Sequence, residues 1–285
     1  MWLRLLTLAF IGLATLYAAA FVYGASRWSA RTQALRARLD AARVPPPTRT
    51  VNFGDLDGLP EPVQRYLRVV LTDGQPVVTD VTMQHTGTFN MSETTEQWRP
   101  FSSTQWVVAR RPGFVWNGRI AMLPGLPARV HDAYVAGEGI LHASLLGLFS
   151  VADLRGEDAM AEGELMRYLA EAAWYPTALL PSQGVTWDSV DNRSAYATLT
   201  DGDLEITMLF TFDTQGLVHT VESEARGRAV DGDIVPTPWR GRFWNYEERS
   251  GMRIPLDGEV AWLLPEGKKP YWRGHITALD YQFAP

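Results

Sequence analysis

The spacing of apolar positions along this chain changes twice, and each change predicts a different element. From Leu5 to Ser26 no residue is charged, and Arg4 and Arg27 bracket the run. Coiled as a helix it spans about 33 Å, enough to cross a hydrocarbon core of about 30 Å. Trp2, Tyr23 and Trp28 sit near its two ends, where aromatic rings favour a membrane interface. A cleaved signal peptide would have a shorter apolar run. Ala18-Ala19-Ala20 resembles a cleavage site, but Phe21, Val22 and Tyr23 carry the run past it, so an uncleaved anchor is expected. Arg27 to Arg43 contains strong helix formers without Gly or Pro, so the helix should continue into water as a solvated juxtamembrane stalk until Pro45-Pro46-Pro47 breaks it.

Beyond the prolines one short helix comes first. Leu59 to Leu71 places Val63, Tyr66, Leu67 and Val70 on one stripe, and Thr72-Asp73-Gly74 ends it. The period then falls to two. Phe114, Trp116, Gly118, Ile120 and Met122 alternate with Val115, Asn117, Arg119 and Ala121. Val78–Asn90, Gln105–Arg110, Arg129–Ala136 and the run from Ile140 read as further strands. So do Ala195–Thr200, Leu204–Asp213, Val218–Arg226, Arg242–Glu248, Glu259–Leu264 and His275–Phe283. About ten strands at short spacing, with turn signals such as Gly137-Glu138-Gly139 and Asp201-Gly202, argue for antiparallel sheet rather than βαβ units. One amphipathic helix interrupts them. Glu162 to Trp174 puts Leu165, Met166, Leu169, Ala173 and Trp174 on one stripe and Glu164, Arg167 and Glu171 on the other side.

The expected fold class is therefore α+β. A transmembrane helix and basic juxtamembrane helix (residues 1–44) precede one β-rich domain (residues 45–285), a large curved, half-barrel-like antiparallel sheet with one or two packed helices. The net charge is −6 although the anchor region is basic, so the body is acidic, which argues against a nucleic-acid partner. The chain has no cysteine, which excludes disulfides, thiol nucleophiles and thiolate metal sites.

Candidate chemistry is sparse. The chain lacks a G-x-S-x-G elbow, a P-loop, a G-x-G-x-x-G turn and an H-E-x-x-H helix. The 5 histidines lie far apart without metal-ligand spacing, and no cofactor or metal is expected. His131 and Asp132 are adjacent on a strand, so they point to opposite faces and cannot form a dyad. The stronger hint is aromatic. Most of the 11 tryptophans lie in the body, where large rings can line an apolar cavity or fill a core. Arg167 and Glu171, one helical turn apart, are either a polar pair inside such a cavity or an ordinary surface pair. The candidate ligand-binding residues are Trp116, Tyr134, Arg167, Tyr168, Glu171, Trp174 and Phe210, with no catalytic residue among them. The helix stripe is expected to pack on a concave sheet face carrying Trp116 and Phe210, with Arg167 and Tyr168 near the mouth of a hollow.

Several segments resemble the recurring blocks of an uncharacterised family of bacterial membrane-anchored proteins, a domain of unknown function. They are Leu59-Pro-Glu-Pro-Val-Gln-Arg-Tyr-Leu67, Arg111-Pro-Gly-Phe-Val-Trp116, Asp132-Ala-Tyr-Val-Ala-Gly137, Arg167-Tyr-Leu-Ala-Glu171, Trp174-Tyr-Pro-Thr-Ala-Leu-Leu-Pro181 and Tyr271-Trp-Arg-Gly274. The resemblance implies a bacterial origin and a membrane link and transfers no catalytic residue. A more distant likeness, of architecture alone, is to the half-barrel of bacterial lipoprotein carriers, which hold acyl chains in an apolar hollow.

These readings converge on a single-pass inner-membrane protein whose body binds an apolar or amphipathic ligand, such as a lipid, beside the bilayer. Two alternatives stay open: a membrane-associated hydrolase using carboxylates of Asp132, Glu138 or Glu171, and a structural module of an envelope complex. The arginines after the span favour a cytoplasmic body. Single N-terminal anchors commonly display periplasmic domains, and the expectation leans that way.

Overall fold

The computed structural model describes residues 1–92, 94–156, 158–230 and 233–285. Its β content is one antiparallel sheet of 13 strands in the order β6-β5-β4-β3-β2-β1-β13-β12-β11-β10-β9-β8-β7, counted among the described residues. The strands are β1 Val78–Asn90, β2 Trp98–Val108, β3 Gly113–Leu123, β4 Leu126–Val135, β5 Glu138–Leu145, β6 Phe149–Gly156, β7 Val185–Ser189, β8 Ser194–Asp201, β9 Leu204–Phe212, β10 Val218–Val230, β11 Asp233–Arg249, β12 Met252–Leu264 and β13 Gly267–Phe283. Nearly every pairing joins strands adjacent in sequence. The one long-range pairing is β1 with β13, which puts Phe89 opposite Trp272. The sequence pattern located most of these strands but missed β6 and β7. β6 is largely exposed and has no clean alternation, and β7 is five residues long.

A sheet this wide cannot stay flat, because each strand is rotated by about 20–25° from its neighbour. It curls around the helix α3 (Ala159–Glu171), which touches both β5 and β10, the second and tenth strands of the sheet order. The curl also brings β4 to β8: Tyr134 Oη donates to Asp201 Oδ2 at 2.8 Å, and Arg111 pairs with the other carboxylate oxygen. Helix α2 (Glu61–Val70), together with 3₁₀ turns at Ala172–Trp174, Pro176–Leu179 and Pro181–Gln183, plugs one end of the curl. Tyr66, Leu67, Leu179, Phe210 and Phe212 are fully buried in that plug. At ~25 cal/mol per Å², each such side chain contributes about 1.5–3 kcal/mol of transfer free energy.

Helix α3 starts and stops three residues before the expected Glu162–Trp174. The more important correction is its environment. Its polar side is not wet: Glu164 is 4% exposed and Glu171 9%. α3 is a core helix enclosed on all sides by the curled sheet.

The first helix, α1 (Trp2–Ala41), is continuous, and its segment to Gly24 is apolar and long enough to cross a membrane. Its second half is not the solvated stalk expected from its arginines. It lies along the outer face of β2–β5. Trp28 stacks on His131 with ring centres 3.9 Å apart and donates its indole N–H to Asn117 Oδ1 at 2.8 Å. Thr32 Oγ1 meets the same His131 at Nε2 (2.7 Å), and Arg31 donates to His142 at 3.3 Å. Leu39 closes a small apolar cluster with Val108, Val115, Ala133, Val135 and Ile140. Arg38 pairs with Glu138 at 2.6 Å, and Arg43 pairs with Asp80. Burial, then the neighbouring His142 and Arg31, push His131 down to about 3, so it is neutral in this joint.

Candidate functional site

Opposite the plug, the curled sheet and α3 enclose a hollow of about 350 Å³, within the size range of small-molecule sites. Its walls come from the inward positions of many strands: Phe89 of β1, Trp116 and Ile120 of β3, Leu141 and Ala143 of β5, Leu154 of β6, Trp239 and Phe243 of β11, Trp262 of β12, and Trp272 of β13. Trp174 lies below them, edge-on to Phe243.

The space is kept by a sequence pattern. Trp-x-Gly occurs at 116–118, 239–241 and 272–274. Positions i and i+2 of a strand share a face, so an indole can lie flat along the strand if the second position has no side chain. A Cβ added to Gly118 would lie 2.1 Å from the Trp116 ring, and one added to Gly274 2.2 Å from the Trp272 ring. The rings therefore line the wall instead of projecting across the hollow. Sequence reasoning noted the tryptophans but not this spacing.

The floor is polar and closed on itself. Arg167 of α3 donates to Glu171 Oε1 at 2.7 Å, to Asp132 Oδ2 and, at 3.4 Å, to Gln105 Oε1. The Gln105 amide in turn donates to Glu171 Oε2 at 2.6 Å. Arg167 also lies over the rings of Phe114 and Trp116. Burial opposes its charge, but Glu171, Asp132 and Glu164 together raise it above an ordinary arginine. A second arginine, Arg226 of β10, donates to Glu164 Oε1 (3.2 Å), the Gly163 carbonyl (3.0 Å) and Tyr271 Oη (3.2 Å). Burial, then the charge of Asp132, push the Glu164 carboxyl well above the usual carboxylate range. Two guanidiniums thus meet three carboxyl groups in the floor.

The structure brings together four of the seven sequence-predicted residues. Trp116, Arg167, Glu171 and Trp174 face the hollow. Tyr134, Tyr168 and Phe210 do not. Tyr134 is tied to Asp201, Tyr168 donates to the Ala109 carbonyl at 3.1 Å, and Phe210 packs edge-on against Trp187 in the plug. Arg167 is in the floor rather than at the mouth, because the polar side of α3, not its apolar stripe, faces the hollow. Glu164, Arg226, Trp239 and Tyr271 are the residues the sequence reading missed. Of the three carboxylates of the hydrolase alternative, Asp132 and Glu171 meet at Arg167 in the hollow, while Glu138 is on the outer face with Arg38. His131 faces α1 and Asp132 the floor, as strand alternation requires. Among the described residues no group of His, Asp or Glu could hold a metal ion.

The chain resembles solved structures at low identity. A LolA superfamily protein of Nitrosomonas europaea is 10% identical with a TM-score of 0.41, over 79% of this chain and 93% of that one. A β-barrel-like protein of the DUF1849 domain of unknown function from Brucella abortus is 12% identical with a TM-score of 0.20, over 72% of this chain and 99% of that one. No curated protein matches. A family model, in contrast, matches residues 57–281, which covers the sheet and all but the first of its helices, and on that match the chain belongs to the family of unknown function DUF6920.

Proposed function

We propose that the protein is a membrane-anchored binding domain that holds an apolar chain, such as the acyl chain of a lipid, in the hollow between α3 and the sheet. One observation carries this reading. The hollow has aromatic and aliphatic walls over a floor whose charges are already paired. A floor whose guanidiniums already meet the chain's own carboxyl groups offers little to a polar substrate, and apolar walls favour a ligand that leaves water at ~25 cal/mol per Å². The same geometry argues against the hydrolase alternative, because Asp132 and Glu171 share one guanidinium while Glu138 lies on the outer face with Arg38. A solid core, as a purely structural module would have, needs no glycine beneath Trp116, Trp239 and Trp272.

In this reading the Leu5–Ser26 segment is an uncleaved anchor, and the body stands on the periplasmic side of the inner membrane. A carbonate wash should leave the full-length chain in the membrane pellet, and recovery of a soluble chain beginning near Phe21 would contradict the anchor. Binding is tested with the full-length protein in lipid nanodiscs, by tryptophan fluorescence on addition of a long-chain fatty acid. Saturable quenching is expected, weakened by Trp116→Ala and unaffected by Val69→Ser on the exposed side of α2. Absence of saturation in the unmodified protein would overturn the reading.

A further inference from the structure

We infer that the tips of the β3–β4 and β5–β6 hairpins are a membrane-docking surface that enters the bilayer interface beside α1 and turns the mouth of the hollow toward the lipid. The inference rests on α1 being a membrane span, as proposed above, and adds how the body sits on that span.

The first support is a mismatch of lengths. α1 meets the body earlier than its apolar run ends. Tyr17 Oη donates to the carbonyl of Gly125, in the β3–β4 turn. One and a half to two turns later, Gly24 abuts the β5–β6 turn: a Cβ on Gly24 would lie 2.2 Å from the Leu146 carbonyl oxygen, and one on Gly147 2.5 Å from that of Gly24. These glycines let two backbones touch, so turn and helix are held together as one surface. Only Trp2 to Tyr17 projects clear of the hairpins, about 22 Å at ~1.5 Å per residue, too short for a core of about 30 Å. The charge-free run reaches the required length only by including Tyr17 to Ser26, and the hairpin tips are level with that part. Placing the whole run in the membrane therefore carries the β5–β6 tip about 3 Å and the β3–β4 tip about 13 Å past its Ser26 end, which brackets the depth of about 5–10 Å at which interfacial apolar faces settle.

The second support is what the tips carry. Leu123 is 61% exposed, Phe149 65% and Val151 59%, on a body where large apolar side chains are otherwise mostly buried. In water such a cluster is a liability, whereas at a lipid interface it contributes favourable transfer free energy. Arg27 on α1 and the cross-strand pair Arg119–Arg129 stand beside the tips on the outer face. Two arginines side by side repel each other, and burial together with Arg119 pushes Arg129 below an ordinary arginine. Anionic headgroups are the partners that such a cluster fits.

The third support is the mouth. In an antiparallel meander alternate turns share one edge, so the β1–β2, β3–β4 and β5–β6 tips lie at the same end of the sheet. The hollow's lining includes residues near that end: Phe89 and Met91 of the β1–β2 hairpin, Ile120 of β3 and Ala143 of β5. Docked tips therefore let an acyl chain pass from bilayer to hollow without crossing water.

The chain has no cysteine, so single substitutions give clean labels. Leu123→Cys, Phe149→Cys, Leu8→Cys in the span and Val69→Cys on α2 would each be labelled with an environment-sensitive fluorophore in the full-length protein. The proteins would be reconstituted in phosphatidylethanolamine–phosphatidylglycerol vesicles with and without acyl-brominated lipid. Labels at positions 8, 123 and 149 should be quenched several-fold more than the label at 69. Quenching at 8 but not at 123 or 149 would overturn the docking and leave the anchor standing. No quenching at 8 would remove the anchor and the docking with it. Tip labels shielded from water but not quenched by lipid would mean a protein partner and would also overturn it. Because no fatty acid is added, the result is independent of whether the hollow binds one.

Discussion

The two ends of the curled sheet both turn large apolar side chains inward yet reach opposite outcomes. At the plugged end, the inward positions of β7–β10 meet α2 and the 3₁₀ turns, and Tyr66, Phe210 and Phe212 are fully buried with no space between them. At the other end, the inward positions of β1, β3, β11 and β13 carry still larger rings, and a hollow remains. Side-chain size does not decide the difference. At the plugged end a second layer of backbone fills the curl. At the open end a glycine two positions on lets the Trp116, Trp239 and Trp272 indoles fold flat against the sheet, and the buried charges of α3 form a floor that apolar side chains cannot profitably cover. A packed end and a lined end thus follow from what lies opposite the strands and from the residue two places along.

The comparison is tested most severely by deletions at the two ends. Phe212→Ala removes a packed ring and should cost about 3–5 kcal/mol in denaturant unfolding while leaving the fatty-acid affinity of the surviving folded protein unchanged. Arg167→Leu leaves Asp132 and Glu171 buried without a cationic partner and should also cost about 3–5 kcal/mol. It should in addition change ligand affinity, because the floor acquires unbalanced negative charge. Equal effects of both substitutions on affinity would erase the distinction between the ends.

An effect no larger than these is expected from pH, acting on the outer joint between α1 and the sheet. His131 titrates near 3 in the folded protein, against about 6.5 when unfolded. The unfolded chain therefore binds more protons between these values, and this histidine's contribution to stability is full above about pH 6.5 and lost as pH falls toward 3, with a slope approaching 1.4 kcal/mol per unit. His131→Gln should flatten this part of the stability profile. An unchanged slope would mean that Trp28 does not hold the ring in its neutral form.

Gly118→Ala should have a smaller effect still. The new methyl displaces the Trp116 ring from the wall, with a stability change of about 1–3 kcal/mol. The ring must swing into the hollow, so affinity for a long acyl chain should drop more than stability does. If affinity is unchanged, the Trp-x-Gly spacing is not what keeps the hollow open.

The β-rich class, most strands and the core helix were legible from the sequence because period-two and period-3.6 patterns are local. The site was legible only in part. Trp116 and Trp174 were found because large rings in a strand and at a helix end stand out, and Arg167–Glu171 because i, i+4 spacing is local. Tyr134, Tyr168 and Phe210 are chemically similar to these but face the plug, and nothing local records which end of a strand is capped. Arg226 was missed because its partner Glu164 is 62 residues away and meets it only when the sheet curls. The segment after the span was read as a wet stalk because the partners of Thr32, Arg31 and Arg36, which are His131, His142 and Trp106, come from strands about 70–110 residues later.

The central claim is that the open end holds a lipid-derived chain, and the most direct test is to fill it. Ala143 projects from β5 into the hollow. Native mass spectrometry of the full-length protein, extracted from membranes with its surrounding lipid and released gently, should show a bound lipid adduct. The adduct should be lost in Ala143→Trp while the folded protein is retained. An unmodified protein without an adduct, or an Ala143→Trp protein carrying the same one, would contradict the account.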